Sequence, residues 1–234
     1  MDPYKLTNTL LAEAKRLAGS EMVISSIESI TKCDDRINGV IVDGNQIQAD
    51  VFILAIGSWL HTACDWLKIP PINGHRVHSI VICPKSNGVI TPHAMLADFS
   101  TDDMKHKKIN ILLRPDGNVF ISGMDDNGGI PVNQAEVNPN QDTLRQLHEI
   151  GGKISSYLRD STFVEQGASY TQVPPPGNLP IIGSITDVDG AYVAFGGYWG
   201  VVNAPAIGLA LSELVVDGKC KMFDLAPFEP ATFI

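Results

Sequence analysis

Ala191-Tyr192-Val193-Ala194-Phe195-Gly196-Gly197-Tyr198-Trp199-Gly200 is the stretch on which the fold turns. Residues 191–195 lack the polar alternation of a half-exposed strand, so they read as a strand covered on both faces. The glycine-rich run that follows gives way to a helical segment from about Ala204 to Val216, ended by Asp217-Gly218. Pro205 is expected to fall in the first turn of that helix. A strand, a glycine-rich loop and a helix in succession bring bare backbone N–H groups and a helix N-terminus to one point. That point suits a phosphate or the electron-rich N1/O2 edge of a reduced flavin. A tight strand-to-helix turn without a ligand has the same spacing, and spacing alone leaves both readings open.

Working back along the chain, Val51–Ala55 is a second run apolar on both faces, read as a central, doubly covered strand. It ends in Ile56-Gly57-Ser58-Trp59, where small residues allow close approach of a ligand. Ahead of it, Asp2 and Pro3 open a helix with Leu6, Leu10, Leu11, Ala14, Leu17 and Ala18 at helical spacing, and Gly19 stops it. Met22–Ile30 reads as a strand. Ile37–Val42 and Gln46–Ala49 flank Asp43-Gly44-Asn45, a hairpin turn signal. Between His61 and Thr171 the texture becomes that of an antiparallel sheet: Val77–Cys83, Ile109–Leu113 and Val119–Ser122 are strands separated by turns such as Pro115-Asp116-Gly117-Asn118. One helix, with Leu144, Leu147, Ile150, Ile154 and Leu158 on its apolar face, is weakened by Gly151-Gly152. Pro174-Pro175-Pro176-Gly177 breaks the chain before Ile181-Ile182-Gly183.

The 234 residues hold 26 acidic and 17 basic side chains, a net charge of −9. An acidic chain without a basic stripe argues against a nucleic-acid partner. The short cluster Lys105-His106-Lys107-Lys108 reads as a solvated loop. Cys33, Cys64, Cys83 and Cys220 are widely spaced, which points to reduced thiols and a cytoplasmic location. No signal peptide is read at Met1, and no apolar run is expected to reach the ~20 residues that span a bilayer. His75-x-x-His78 with Cys64 and Cys83 fits no standard zinc spacing, so no metal is expected. His93 reads as a structural histidine, and no G-x-S-x-G elbow supports a hydrolase.

Leu179-Pro180-Ile181-Ile182-Gly183, Gly190-Ala191-Tyr192-Val193-Ala194, Gly196-Gly197-Tyr198-Trp199-Gly200 and Ala204-Pro205-Ala206-Ile207-Gly208-Leu209-Ala210-Leu211-Ser212-Glu213-Leu214 together resemble the closing signature of the D-amino-acid-oxidase-like flavoproteins, the group of glycine and sarcosine oxidases. Gly197 stands where that group usually has histidine. Asp2-Pro3-Tyr4-Lys5-Leu6-Thr7 resembles the start of the family's mid-domain helix, and Ala49–Trp59 the strand that returns to the cofactor. His78-Ser79-Ile80, Pro92-His93-Ala94, Arg114-Pro115-Asp116-Gly117 and Asp224-Leu225-Ala226-Pro227-Phe228 are similar to an uncharacterised fungal and plant oxidoreductase subgroup, which includes a yeast member linked to endosomal trafficking.

The resemblance implies an α/β FAD/NAD(P)-binding domain, incomplete at its N-terminus, with an inserted antiparallel substrate-binding sheet. Residues 1–60 and 173–234 would form the cofactor domain and 61–172 the substrate domain. The family's G-x-G-x-x-G loop has no counterpart here, so the expectation is a truncated chain or incomplete gene model that binds FAD poorly by itself. The implied function is that of an FAD-dependent oxidoreductase passing a hydride from a small amine or amino-acid-like substrate to flavin. The alternatives are a non-catalytic flavin-fold module for binding or trafficking, and an inactive fragment. Implied cofactor contacts are Ile27, meeting the adenine through its backbone, Gly57 and Ser58 lining the cofactor channel, and Gly196, Gly197, Tyr198, Trp199, Gly200, Val201, Val202 and Asn203 about the isoalloxazine. Ala168 stands nearest the family's covalent-flavin cysteine, which implies noncovalent FAD. The family's carboxylate-gripping arginine is absent from Ala168–Pro174, leaving Arg114 as the alternative clamp. Arg114 also reads as an ordinary surface arginine. Tyr170 is a second substrate candidate. No acid or base catalyst is assignable.

Overall fold

The computed structural model describes residues 2–70, 72–85, 93–100, 106–173 and 179–234. The chain divides into two compact units, Met1–Ile72 with Pro174–Ile234, and Asn73–Val173. The expected border at residue 60 falls inside a 3-10 helix, Gly57–Asp65, and the residues after it belong to the first unit. The reason is burial: Ala63, Leu67, Ile69 and Ile72 join the first unit's core.

In the first unit, α1 (Pro3–Ala18) is capped as its sequence dictates. Asp2 accepts from the Tyr4 and Lys5 amides at 3.0 and 3.3 Å, and Gly19 closes the helix at φ 62°. β1 (Ile27–Cys33), β2 (Arg36–Val42) and β3 (Asn45–Gln48) form an antiparallel sheet. The β2–β3 turn puts Asp43 and Gly44 both at positive φ, as a two-residue hairpin turn requires. The strand expected over Met22–Ile30 instead begins at Ile27. Pairing of Ile27 with Val42 fixes the register, and Met22, Val23 and Ile24 lie exposed ahead of it.

β4 (Phe52–Leu54) lies beside two later strands, β10 (Ile181–Ser184) and β11 (Ala191–Phe195), in the order β10-β11-β4. β11 runs parallel to β4 and antiparallel to β10. β11 is the doubly covered strand its sequence announces. Ala191, Val193 and Phe195 enter a core with Ile37 and Leu60. Tyr192 and Ala194 meet Ile207, Ala210 and Leu211 of the last helix, α4 (Gly200–Asp217). β4, by contrast, is an edge and not the central strand expected: β11 is its one neighbour among the described residues, and Ile53 is 51% exposed. Its apolarity is matched by exposed Leu10, Leu17 and Ile24 elsewhere in this unit.

α4 begins earlier than expected, so Pro205 sits inside the helix, past its first turn. There it withholds one intrahelical N–H bond. The segment Gly197–Asp217 has the length and hydropathy of a membrane-crossing helix. Packing of Ile207, Ala210 and Leu211 against Ile182 and Leu225 accounts for part of that apolar character.

The second unit is an antiparallel sheet of β5 (Asn73–Cys83), β6 (Ala94–Ser100), β7 (His106–Leu113), β8 (Val119–Asp126) and β9 (Thr162–Val173), ordered β6-β7-β8-β5-β9. His106, Lys107 and Lys108, read as loop, instead open β7, paired with Ser100, Phe99 and Asp98. A solvated edge hairpin tolerates lysines, which made strand and loop look alike. Lys105, Pro92 and the Pro174–Gly177 break lie outside the described residues. The expected single helix is α2 (Gln141–Ile154) plus a short α3 (Ser156–Arg159), divided at Ser155. α2 lays Leu144, Leu147 and Ile150 on Ile80, Ile82 and Ile121.

Gly151 and Gly152, which looked like a weakness, let the backbone approach: a Cβ on Gly151 would stand 2.8 Å from Ile121 Cδ1, and one on Gly152 3.1 Å from Arg159 Cα. Gly152→Val is therefore expected to destabilise the second unit by roughly 1–3 kcal/mol through overpacking. Faster hydrogen exchange of α2 and β8 amides would report it, and unchanged exchange would refute it.

Candidate cofactor site

β4 and β11 are parallel neighbours, with Leu54 opposite Val193, so their carboxyl ends lie side by side. Ligands of α/β sheets bind at such ends. Gly57 follows β4 at φ 55°, and Ser58 after it is buried, its carbonyl accepting from His61 Nδ1 at 3.0 Å. Gly196 and Gly197 follow β11. The turn there is tight: a Cβ on Gly196 would come within 2.6 Å of Gly200 Cα. Gly197 has φ 62°, in the left-handed region that glycine adopts freely and histidine more often than most residues.

The run Gly197–Trp199 is a 3-10 turn leading directly into α4, whose N-terminus has no side-chain cap among the described residues. Asn203 Nδ2 reaches back to the Gly196 carbonyl at 3.4 Å, bracing the loop against the first turn. Tyr198, Trp199, Val201 and Val202 are exposed around it, and nothing lies within 4 Å of where a Gly200 Cβ would be. A buried, glycine-built turn, an uncapped helix start and an apolar rim fit a ligand with an apolar ring and an electron-rich edge. The residues present therefore fit the ring portion of a flavin.

Ile27, the expected adenine contact, is not part of these turns. It opens β1 in the separate β1-β2-β3 sheet, half-exposed and opposite Val42. The two substrate candidates also do not converge. Arg114 pairs with Glu165 at 3.4 Å and stands 5.8 Å over the Phe120 ring. Tyr170 lies opposite Arg76 on β5, its hydroxyl donating to the Gly129 carbonyl at 2.7 Å. His93 is exposed just before β6, and Ala168 lies opposite His78. Among the described residues, no three His, Cys, Asp or Glu side chains are grouped to hold a metal, and all four cysteines are free.

One polar cluster escaped the sequence reading. Arg76 grips Asp126 through Nε and Nη2 at 2.8–3.2 Å, and the Gly128 amide donates to the same carboxylate at 2.9 Å. A bulge between β5 and β8 places Met124 at φ 56° and brings its carbonyl to 3.1 Å from Nδ1 of the fully buried His78. That carbonyl only accepts, so Nδ1 carries the proton. Only the strand register sets residues 76 and 126 opposite each other, which no local motif reveals.

The Arg76 hydrogen bonds, helped by the Gly128 amide, hold the Asp126 carboxyl below its ordinary range despite partial burial. A depressed folded value gives stability that is complete above the unfolded value of about 3.9 and is lost as pH falls through the folded one. Since Asp126 is a third exposed, the contribution is about 1 kcal/mol or less. Asp126→Asn should flatten the acid limb of the second unit's stability below about pH 4 in urea titrations. An unaltered limb would contradict it.

Residues 1–214 match the family model described as FAD dependent oxidoreductase. TDA3 of Saccharomyces cerevisiae, named provisionally as an oxidoreductase, is 24% identical over 271 residues, covering 100% of this chain and 50% of its own. Glycine oxidase of Pseudomonas aeruginosa is 25% identical, with 97% of this chain and 58% of that protein covered. Among solved structures, iminodiacetate oxidase from Chelativorans sp. BNC1 superposes with a TM-score of 0.77 at 20% identity, over 97% of this chain and 58% of that one. Glycine oxidase from Geobacillus kaustophilus gives 0.75 at 18% identity, over 95% and 56%. The chain spans 50–58% of the length of the curated relatives it matches.

Proposed function

Because this chain belongs to the FAD-dependent oxidoreductase family, we propose that it supplies the ring-facing part of a noncovalent FAD site in an enzyme that oxidises a small amine or amino-acid-like substrate. The observation that carries this reading is the parallel pairing of β4 and β11, which Gly57-Ser58 and Gly196–Asn203 follow in sequence, the latter running into the uncapped start of α4. Oxidases acting on glycine and iminodiacetate share the fold, and they support the substrate class by analogy.

When bound, the flavin supplies a two-electron acceptor for a substrate C–H bond. The chain's own residues bind and orient. N–H groups at the start of α4 would favour negative charge on a flavin held there. Gly196 and Gly197 keep side chains out of the ring's approach, and Asn203 holds their turn in place. Arg114 is the carboxylate clamp of this reading, and it would exchange Glu165 for substrate. The location is cytoplasmic in this reading.

A second reading, a non-catalytic module that keeps the flavin fold, is favoured by Gly197 and by the lack of arginine in Ala168–Pro174. The two differ in one measurement. The purified protein is incubated with excess FAD, desalted, and its visible spectrum followed while glycine, sarcosine and other small amines are added. Retained flavin that bleaches with an amine supports the enzyme. Retained flavin that no amine bleaches, or protein with no flavin spectrum, overturns the enzyme and supports the module.

A further inference from the structure

Tyr198 and Trp199 form an edge-to-face pair with ring centroids 5.3 Å apart, at the exact place where the β11 turn becomes α4. Both are largely exposed, Trp199 at 62% and Tyr198 at 55%. Of the two other tryptophans, Trp59 follows Ser58 in the 3-10 helix after β4, and Trp66 packs against the core. A large exposed aromatic pair costs a soluble protein solvation and aggregation risk unless something covers it. Exposed Val201 and Val202 extend the same apolar rim. Each ring already takes the other's edge, and T-shaped packing of that kind stiffens both side chains. What lies next to the rim is the glycine-built turn, which offers backbone N–H groups and no side chain of its own.

We propose that Trp199, steadied by Tyr198, is the aromatic wall against which the isoalloxazine ring rests, and that it is a principal determinant of flavin affinity in this chain. This deepens the cofactor reading above and rests on it. A planar, electron-poor ring matches an electron-rich indole in shape and in charge, while α4 faces the ring's polar edge.

Riboflavin and FAD are titrated separately into the full chain and into its Trp199→Phe and Trp199→Ala variants. Binding is measured by equilibrium dialysis, and the emission of the bound flavin is recorded. An indole in contact quenches that emission by donating an electron to the excited ring; a phenyl ring does not. Trp199→Ala is expected to weaken binding about tenfold, and Trp199→Phe to recover most of the affinity, as stacked aromatic contacts imply. Trp199→Phe should also raise bound-flavin emission several-fold, which a purely structural role would not do. Riboflavin should show both effects, because it carries the ring without the adenine.

If wild type binds flavin and neither affinity nor emission responds to Trp199, the wall is wrong and the cofactor reading stands. If FAD responds and riboflavin does not, Trp199 serves another part of the cofactor and the proposal fails. If wild type binds no flavin by dialysis, the cofactor reading fails and the wall falls with it. Unchanged circular dichroism in both variants separates lost contact from lost fold.

Discussion

Gly196→Val is expected to abolish flavin retention and to cost the first unit about 3 kcal/mol, within the range of severe overpacking. The argument is geometric. The ideal Cβ position at Gly196 lies 2.6 Å from Gly200 Cα and 3.4 Å from its carbonyl carbon and oxygen. Those atoms are backbone, so no rotamer change relieves the clash. Either the 3-10 turn opens or the start of α4 moves, and both displace the N–H groups that the proposed site uses. Asn203 would lose its brace as well, because its partner is the Gly196 carbonyl. Gly200→Ala is the matched control: space around Gly200 is open and its φ is −48°, so it should keep the fold. Thermal melts with and without excess FAD read both effects, since a ligand bound to the native state raises the midpoint. A Gly196→Val protein that melts like wild type and holds flavin would show the turn to be looser than its geometry says.

The contrast between these two glycines marks how far a sequence carries the argument. The strand, loop and helix of 191–217 were legible because each leaves a local trace: an unbroken apolar run, a glycine cluster, a cap. Asp2, Gly19 and Asp43-Gly44 were legible for the same reason. Val51–Ala55 was legible as a strand but not as an edge, because burial on both faces depends on neighbours that the residues themselves do not specify. The lysines of β7 misled by charge, and Gly151-Gly152 by propensity, where close packing on Ile121 and Arg159 outweighs the entropic cost of glycine. At the candidate site, Gly57-Ser58 and the 196–203 loop follow the carboxyl ends of parallel neighbouring strands. Ile27, the expected adenine contact, lies in another sheet, where one hairpin register places it. The Arg76–Asp126–His78 cluster was invisible for a related reason: its members are set opposite one another by strand pairing across a bulge.

Phe195→Ala is expected to destabilise the first unit by about 3–5 kcal/mol, the range for truncating a fully buried aromatic. Phe195 is 1% exposed and is the bulkiest side chain sealed from solvent among the described residues. It closes a core in which β11, β2 and the 3-10 helix meet through Val193, Ile37 and Leu60. It is also the last residue of β11 and immediately precedes the glycine turn, opposite Ile181 of β10. A cavity there removes the support of the turn as well as the packing of the strand. The second unit has its own core around Ile82, Ile121 and Leu147, with no residue in common. Hydrogen exchange should therefore lose protection in β10 and β11 while α2 and β8 keep theirs, and flavin affinity should fall with the first group. Equal loss in both sets of amides would mean that the two cores unfold as one cooperative system, and the assignment of the turn's rigidity to the first core alone would be wrong.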